Sequence, residues 1–211
     1  MNFRNSIALQ LGRPSGILGQ IVGIVLYRAN RVVNDWVISQ LNIQPDDHVL
    51  EIGFGPGQSI QQLAQLVPRG FVAGLDHSEL MVRQARRLNR ASIKSGRVEL
   101  EQDVIPPIPF DTAAFNKALA INVFYFWPEP SASLRELWRI LKPGGVLALY
   151  LATPESMKNI SDSGVFRLYL PEQVETLLTD AGFIPIQRGR RSFKAEDGFF
   201  IIAKKPPLTT P

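Results

Sequence analysis

An apolar run that is interrupted by three glycines constrains this chain more than any other stretch. Residues 49–52 read Val-Leu-Glu-Ile, a pattern typical of a strand that is buried on both faces of a sheet. Gly53, Gly55 and Gly57 follow at every second position, and glycine allows a backbone to take positive φ and to approach a ligand closely. Residues 59–67 then place apolar side chains at helical spacing. The stretch therefore predicts a strand, a glycine turn and a helix whose first N–H groups lack partners within the helix.

The spacing of the glycines indicates which class of ligand such a turn can bind. A nicotinamide or flavin fingerprint, G-x-G-x-x-G, would need its third glycine at position 58, which is Gln58. No Gly-Lys-Ser/Thr follows the turn, so it is not a nucleoside-triphosphate loop. Pro56 fixes one φ inside the turn, and Glu51 stands two residues before the first glycine. A different ligand fits this spacing, and so does a turn that binds nothing.

The rest of the chain alternates predicted strands with predicted helices. This alternation is typical of an α/β protein with a mostly parallel, doubly wound sheet and helices on both faces. At 211 residues the chain is long enough for one such domain with a full core. We expect Leu88 and Trp138 to face that core. After the glycine turn, the predicted elements are strands at 71–76, 98–103, 115–121 and 146–151, a turn at 142–145, helices after Ser78 and over 128–141 and 171–181, and an antiparallel hairpin of residues 183–187 and 199–203.

The first 44 residues form a separate predicted unit, an N-terminal helical arm (1–44) in front of a domain of residues 45–211. A helical pattern of apolar residues runs from position 17 to position 41. The apolar run of residues 17–26 is too short to span a bilayer, and no small-x-small cleavage pattern follows Tyr27. We therefore expect no transmembrane segment, while a helix that lies on a membrane surface stays open as an alternative.

Polar residues within the arm indicate how it could be used. A break in the helix is expected near Gly23 or Asn30. Asn30 and Asn34 are four residues apart and hence on one helix face. They either face solvent or, together with Arg13, line a site that the arm covers as a lid.

Composition excludes several kinds of site. The chain has no cysteine, which excludes disulfides, thiolate metal sites and cysteine nucleophiles. Since His48 and His77 are the two histidines, a histidine-rich metal centre is not expected, and we expect no metal. The net charge is +4, and basic residues crowd positions 83–97. Because most of these lie on a predicted helix with an apolar opposite face, we interpret them as a solvated face rather than a nucleic-acid surface.

Polar side chains end several of the predicted strands. In an open α/β sheet, ligands bind outside the carboxyl ends of the strands, which would gather Glu51, Asp76, Asp103 and Asn122 around one crevice. Asp76 lies 19 residues after Gly57, a distance that fits one helix and one strand. A carboxylate there could accept both hydroxyls of a ribose, and Asp103 could accept from an exocyclic amine of adenine. Helix capping or simple surface charge would also explain either acid.

Together with Leu141-Lys-Pro-Gly-Gly145, these motifs resemble, in the same order, those of the class I S-adenosylmethionine-dependent methyltransferases. Within that class the chain looks like the small-molecule group labelled UbiE-like or type 11. The resemblance covers residues 45–150, and the ending from 171 to 204 fits the family's last helix and strands. It implies a Rossmann-like sheet of seven strands in the order 3-2-1-4-5-7-6, with strand 7 antiparallel.

The resemblance also implies a cofactor, S-adenosylmethionine, and assigns residues to it. Glu51 would hold the methionine amino group, and Asp76 would bind the ribose hydroxyls. Asp103 and the Val104 N–H would bind the adenine edge. The full set implied to bind the cofactor is Glu51, Gly53, Phe54, Gly55, Gly57, Asp76, His77, Met81, Asp103, Val104 and Asn122.

The resemblance says less about the residues that bind the methyl acceptor. Residues 122–127 read Asn-Val-Phe-Tyr-Phe-Trp and lack the Asn/Asp-Pro-Pro-aromatic box of amino-group DNA methyltransferases, which argues against nucleic acid. These aromatics are either core residues or one wall of an acceptor pocket. A general base is needed only if the nucleophile cannot shed its proton, and Tyr125 is the candidate. Asn30, Asn34 and Tyr125 are the candidates for contact with the acceptor.

The sequence therefore predicts a cytoplasmic methyltransferase, monomeric or homodimeric, that moves a methyl group to a small molecule by in-line displacement. Three alternatives remain open at this point: an RNA or protein methyltransferase that uses the basic surface, a catalytically silent cofactor-binding protein, and a nicotinamide oxidoreductase. Gln58 argues against the last of these.

Overall fold

A seven-stranded sheet is the centre of the fold in the computed structural model, which describes residues 31–158, 167–193 and 197–207. The strands are β1 (His48–Ile52), β2 (Phe71–Asp76), β3 (Val98–Gln102), β4 (Phe115–Ile121), β5 (Leu141–Ala152), β6 (Ile184–Ser192) and β7 (Asp197–Lys204). Their order across the sheet is β3-β2-β1-β4-β5-β7-β6. Strand β7 runs antiparallel to both of its neighbours, and the remaining neighbours pair in parallel. The predicted fold class and strand order are confirmed.

Helices cover both faces of this sheet. They are α1 (residues 31–40), α2 (Gln58–Leu66), α3 (Glu79–Leu88), α4 (Arg90–Lys94), α5 (Pro130–Ile140), α6 (Pro154–Met157) and α7 (Pro171–Asp180), with a 3₁₀ turn at Phe124–Phe126. The Ser78 side chain caps α3 by accepting from the Met81 N–H, because a serine directly before a helix can pair with one of its free N–H groups. Pro171 opens α7 and Gly182, in the left-handed region, follows its end.

The register of the parallel strands brings their ends to one edge of the sheet. Ile52 in β1 lies opposite Leu75 in β2 and Ala120 in β4. Asp76, the last residue of β2, lies opposite Gln102, the last residue of β3. The segments that follow these strands therefore leave the sheet side by side, at an edge that we call the carboxyl edge.

Two hydrophobic clusters fill the space between the sheet and its helices. On one face, Leu134 of α5 and Val174 of α7 pack in a cluster with side chains from β4, β5 and β7. On the other face, Val37 of α1, Leu63 of α2 and Val82 of α3 pack in a second cluster against the same sheet. Because α1 contributes to this second cluster, the described part of the N-terminal arm shares its core with residues beyond position 45.

The structure differs from the predicted boundaries most clearly at β5. Residues 142–145 were predicted as a turn before a strand at 146–151, but β5 begins at Leu141 and includes them. The partner strand explains the difference, because Phe115 pairs with Leu141 while Lys117 pairs with Val146. The Lys-Pro-Gly-Gly segment is thus an irregularity within a paired strand rather than a turn that precedes it.

Two residues that were expected to face the core are partly exposed. Leu88, the last residue of α3, is 38% exposed, and the buried face of the helix consists of Leu80, Met81, Val82 and Ala85. Trp138 is 37% exposed, and its Nε1–H donates to the Gly182 carbonyl at 3.3 Å. The prediction for Leu88 was wrong, and Trp138 lies at the border of the core, where its indole N–H finds a partner.

Helix α1 crosses the second face of the sheet. Its Trp36 ring lies edge-on against Phe200 of β7, at 4.7 Å between centroids, and near Phe193 at 6.1 Å. The expected break near Gly23 or Asn30 lies outside the described residues, as do Arg13 and Asn30 themselves. In the part of the chain that the structure describes, none of the helices combines the length and the apolar character needed to cross a membrane.

Candidate cofactor site

The glycine turn between β1 and α2 is closed on two sides and open at its centre. Gly53, Gly55 and Gly57 have φ of +76°, +55° and +89°. A Cβ atom at Gly53 would lie 2.3 Å from the Val123 side chain, and one at Gly57 would lie 2.5 Å from the Ala85 Cβ. A Cβ atom at Gly55 would meet no atom within 4 Å. The turn therefore rests on protein at both ends and presents bare backbone to open space at Gly55.

Asp76 connects this turn to the end of β2. Its Oδ2 accepts a hydrogen bond from the Gly55 N–H at 2.9 Å, and its Oδ1 accepts one from the Ser78 N–H at 2.8 Å. The carboxylate is buried, and burial raises its pKa above the ordinary value although both hydrogen bonds oppose the rise. Asp76 thus shapes the turn, and its remaining lone pairs are available to a ligand.

Glu51 is the second buried carboxylate at the carboxyl edge. The Ser59 hydroxyl of α2 donates to Glu51 Oε1 at 2.7 Å. Among the described residues, Glu51 Oε2 has no hydrogen-bond partner although it is excluded from solvent. Burial raises the pKa of Glu51 to about 7; the hydrogen bond from Ser59 opposes the rise and the nearby Asp76 charge adds to it. A buried acceptor of this kind is able to accept a hydrogen bond from a ligand or to pair with a cation.

Asn122 closes the crevice on the side of β4. It follows that strand with a left-handed φ of +55°, and its Oδ1 accepts from the Ala152 N–H at 3.1 Å. Its own N–H donates to the Tyr150 carbonyl at 2.9 Å. These contacts connect the ends of β4 and β5 and turn the chain so that Val123 meets Gly53.

Asp103 and Val104 lie at the exposed rim of the same edge. Asp103 follows β3, and its N–H donates to the Asp76 carbonyl at 3.3 Å. The Val104 N–H, predicted to bind adenine, donates to the Asp103 carboxylate at 2.8 Å. A ligand that used this N–H would have to share it with Asp103 or displace the carboxylate.

The remaining predicted cofactor residues divide between the core and the edge. Phe54 is buried, and its ring lies over Gly74, so only its backbone faces the turn. Met81 is buried in the first turn of α3, and His77 is half-buried directly after Asp76. The structure therefore brings Glu51, the glycine turn, Asp76 and Asn122 together, with His77, Met81, Asp103 and Val104 beside them.

The aromatic residues after β4 pack mainly into the core. Phe124, Tyr125 and Trp127 are all buried. The Phe124 ring contacts the rings of Trp127 and Tyr169, with centroids 4.7 Å and 5.1 Å apart. The Tyr125 carbonyl accepts from the Arg167 N–H at 3.1 Å, which ties this loop to the segment before α7. Of the other predicted acceptor contacts, Asn34 is half-buried on α1 and Asn30 lies outside the described residues.

Sequence reasoning missed two polar residues that hold the turn. Ser59 was read only as part of the helix, and Asn89 was not singled out. Asn89 is buried at the end of α3, and its Nδ2 donates to the Gly57 carbonyl at 2.9 Å. The local signal for Asn89 is weak, because a polar residue after an amphipathic helix is an ordinary helix end.

Several of the crowded basic residues are engaged within the chain. Arg86 donates to the Leu100 carbonyl at 2.6 Å and lies 3.6 Å from Glu101. Arg97 donates to the Ala64 carbonyl at 2.9 Å, and Arg83 pairs with Glu79. These contacts support a helix face that is structural and solvated. In the described ranges, no group of three or more acidic, histidine or cysteine side chains could hold a metal ion.

Comparisons with known proteins agree on the kind of domain. A family model described as methyltransferase domain matches residues 49–145. YdaC of Bacillus subtilis (strain 168), an uncharacterized methyltransferase, is 30% identical over 192 aligned positions, and the match covers 88% of this chain and 98% of that protein.

Solved structures of low sequence identity share the fold. One is the complex between the Trm112 methyltransferase activator of Haloferax volcanii and a methyltransferase, with a TM-score of 0.78, 16% identity and coverage of 98% and 99% of the two chains. Another is a geranyl diphosphate methyltransferase in complex with S-adenosylmethionine, with a TM-score of 0.73, 14% identity and coverage of 93% and 94%.

Proposed function

Because the chain belongs to the class I S-adenosylmethionine-dependent methyltransferases, we propose that it transfers the methyl group of this cofactor to a small-molecule acceptor. The observation that carries the proposal is the open glycine turn at Gly55, flanked by the buried carboxylates of Glu51 and Asp76. S-Adenosylmethionine is the cofactor of the family.

The residues at the carboxyl edge fit this cofactor in shape and in charge. The space over Gly55 admits a ligand against bare backbone, where any side chain would intrude. Glu51 Oε2, buried and without a hydrogen-bond partner among the described residues, suits the positively charged amino group of the methionine part. Asp76 suits the ribose hydroxyls, since each of its oxygens accepts one backbone N–H and keeps further lone pairs.

For this reaction the protein must mainly orient the two reactants and exclude water. When bound, S-adenosylmethionine supplies a methyl group on a positively charged sulfonium, which is already a good leaving group. In this proposal, the turn and Asp76 orient the cofactor, and Asn122 with Val123 borders its reacting end. The buried aromatics Phe124 and Tyr125 exclude water beside that end. Tyr125 is the candidate general base for an acceptor that needs one.

A small-molecule acceptor is favoured over a macromolecule by the state of the basic surface. The cations that crowd positions 83–97 include Arg83, Arg86 and Arg97, which are engaged with carboxylates or carbonyls of this chain. The structural neighbour named for geranyl diphosphate acts on a small molecule. We also propose that the chain falls in the UbiE-like group and works in the cytoplasm as a monomer or a homodimer.

The proposal is tested by following the methyl group. The protein is incubated with S-adenosylmethionine labelled with tritium in the methyl group and with a cell extract, and the label is then sorted by molecular size. We expect label in low-molecular-weight products, with none formed by the Gly55→Val variant.

Label in RNA or protein would instead support a macromolecular methyltransferase. A protein that binds S-adenosylhomocysteine but labels neither fraction would be a cofactor-binding protein without transferase activity.

A further inference from the structure

A buried asparagine from outside the cofactor motif reaches the glycine turn. Asn89 ends α3 and is 3% exposed. Its Nδ2 lies 2.9 Å from the Gly57 carbonyl oxygen and 3.0 Å from the Ala85 carbonyl oxygen. Because both neighbours are acceptors, the amide nitrogen must point at them, and the orientation of the side chain is not ambiguous.

Neither carbonyl needs the asparagine in order to be satisfied. The Gly57 oxygen also accepts the Gln61 N–H of α2 at 3.1 Å. The Ala85 oxygen also accepts the backbone N–H of Asn89 at 2.9 Å. Meanwhile, Asn89 Oδ1 is buried and has no hydrogen-bond partner among the described residues. For stability alone, this side chain brings one unpaired buried acceptor and two hydrogen bonds to groups that are already paired, a poor arrangement.

The position of Gly57 shows what the asparagine does instead. Gly57 is the residue before α2, has φ of +89°, and carries no side chain to cap the helix. It lies directly on α3, since a Cβ there would sit 2.7 Å from the Ala85 Cα and 3.0 Å from Asn89 Nδ2. A donor on the Gly57 carbonyl sets the plane of the peptide that leads into α2 and thereby the direction of the first N–H groups of that helix.

Two other contacts hold the same turn. Asp76 accepts from the Gly55 N–H, and Ser59 in the first turn of α2 donates to Glu51. Asn89 adds a third contact from α3, a different element. The turn is thus held by the protein's own side chains at its middle, at its end and at the helix behind it.

We propose that Asn89 is a positioning residue for the cofactor: it holds the Gly57 carbonyl so that the glycine turn is already shaped for binding. This inference rests on the proposed function. A turn that is held in its bound shape loses less conformational freedom on binding, so its affinity is higher. The asparagine acts through Gly57 and is not assigned a contact with the cofactor.

The test separates affinity from stability in the full-length protein. Asn89→Leu removes the amide, keeps the branched outline of the side chain and leaves both carbonyls with their backbone donors. We expect its dissociation constant for S-adenosylhomocysteine, measured by calorimetry, to rise at least tenfold, while the melting temperature of the ligand-free protein stays the same or rises. Asn89→Ala provides the same comparison if the leucine variant does not fold.

Arg97→Met is the matched control. Arg97 donates to the Ala64 carbonyl, near the other end of the same helix α2, and does not touch the turn. We expect this variant to lower the melting temperature while binding S-adenosylhomocysteine with the wild-type affinity.

Unchanged affinity in both Asn89 variants would overturn the inference, as would a loss of affinity that only accompanies a loss of stability. A wild-type protein that does not bind S-adenosylhomocysteine would overturn the proposed function itself, and the role of Asn89 with it.

Discussion

Two carboxylates at neighbouring strand ends have different surroundings, although both follow the pattern of an acid near the end of a strand. Asp76 accepts two backbone N–H groups and is thereby part of the turn. Glu51 has one hydroxyl donor, and its second oxygen is buried with no partner among the described residues. Because Glu51 has fewer hydrogen-bond donors than Asp76, its charge is less well stabilised by the protein. This leads to a prediction about the effect of pH.

The pKa of Glu51 makes stability depend on pH in an unusual direction. Burial raises this pKa from 4.5 to about 7 in the folded protein. Between these values the folded state holds the proton more tightly than the unfolded state, so the free energy of unfolding falls as pH rises. The loss is up to about 3 kcal/mol between about pH 4.5 and pH 7.

The measurement is urea unfolding of the ligand-free protein at pH 5 and pH 8, beside the Glu51→Gln variant. We expect the wild type to lose stability relative to the variant at the higher pH. The raised pKa of Asp76 acts in the same direction and is present in both proteins. The pKa of Glu136 is lowered, chiefly by its hydrogen bond with Arg139. Its contribution to the free energy of unfolding is therefore lost only as the pH falls below about 4.5, outside the pH range of this measurement. Parallel pH profiles would show that Glu51 is already ionised when folded.

Asp76→Asn tests the residue that we assign to the ribose. The amide keeps one acceptor oxygen, but the charge and the second acceptor are lost. We expect affinity for S-adenosylhomocysteine to weaken by about 1–3 kcal/mol, or roughly fivefold to 150-fold. Because Asp76 is buried and bonded to the turn, some loss of thermal stability should accompany the change. Calorimetry that finds unchanged affinity at reduced stability would make Asp76 a structural residue only.

At the scale of elements, the strand β1, the glycine turn and α2 act as one unit. Gly53 and Gly57 are required for packing, because a side chain at either position would collide with Val123 or with α3. Gly55 has no such neighbour; its positive φ favours glycine, and the open space over it leaves room for the ligand that we propose. This distinction separates two reasons for glycine within a single motif.

Gly55→Ala and Gly96→Ala form a matched pair that tests this reading. Both glycines have positive φ, +55° and +73°, and a Cβ at either would meet nothing within 4 Å. Each alanine variant should lose roughly 1–2 kcal/mol of stability from the left-handed backbone. We expect Gly55→Ala alone to lose affinity for S-adenosylhomocysteine, measured by calorimetry. Equal affinities in the two variants would mean that the turn does not contact the cofactor.

At the scale of the whole molecule, α1 relates the N-terminal arm to the site. Trp36 contacts Phe200, which lies opposite Tyr150 close to the carboxyl end of β5. After α1 the chain enters β1 at His48, at the edge of the sheet where the parallel strands begin, opposite the carboxyl edge. The helix therefore runs away from the carboxyl edge, and its first residues are the ones nearer the cofactor site.

This direction supports the proposal that the arm of residues 1–44 covers the cofactor and the acceptor, with α1 anchored on the sheet and the residues before it acting as the lid. We expect limited trypsin cleavage between Met1 and Asn30 to slow at least threefold when S-adenosylhomocysteine is bound. The reason is that a lid which contacts bound ligand is cleaved only after it opens. The Gly55→Val variant, expected not to bind, should show no slowing. Equal cleavage rates in the wild type with and without ligand would contradict the lid.

Most of the fold and the outline of the site could be predicted from the sequence. The apolar run of residues 49–52, the glycines after it and the alternation of strands and helices are local patterns, and periodicity reports them directly. The same holds for the Ser78 cap and for Pro171 at the start of α7, since each depends on residues within one turn. The strand order came from the resemblance to a family, because no local pattern contains it.

Only the tertiary structure decided the contacts that span elements. Asn89 reaches Gly57 because α3 packs on the turn, and nothing near Asn89 in the chain indicates this. The burial that raises the pKa of Glu51 comes from packing around β1, and β5 begins at Leu141 because β4 pairs with it there. Local sequence determines which conformations are favourable over a few residues. Which polar atoms become buried, and which of them remain without a partner, is settled when distant segments exclude water together.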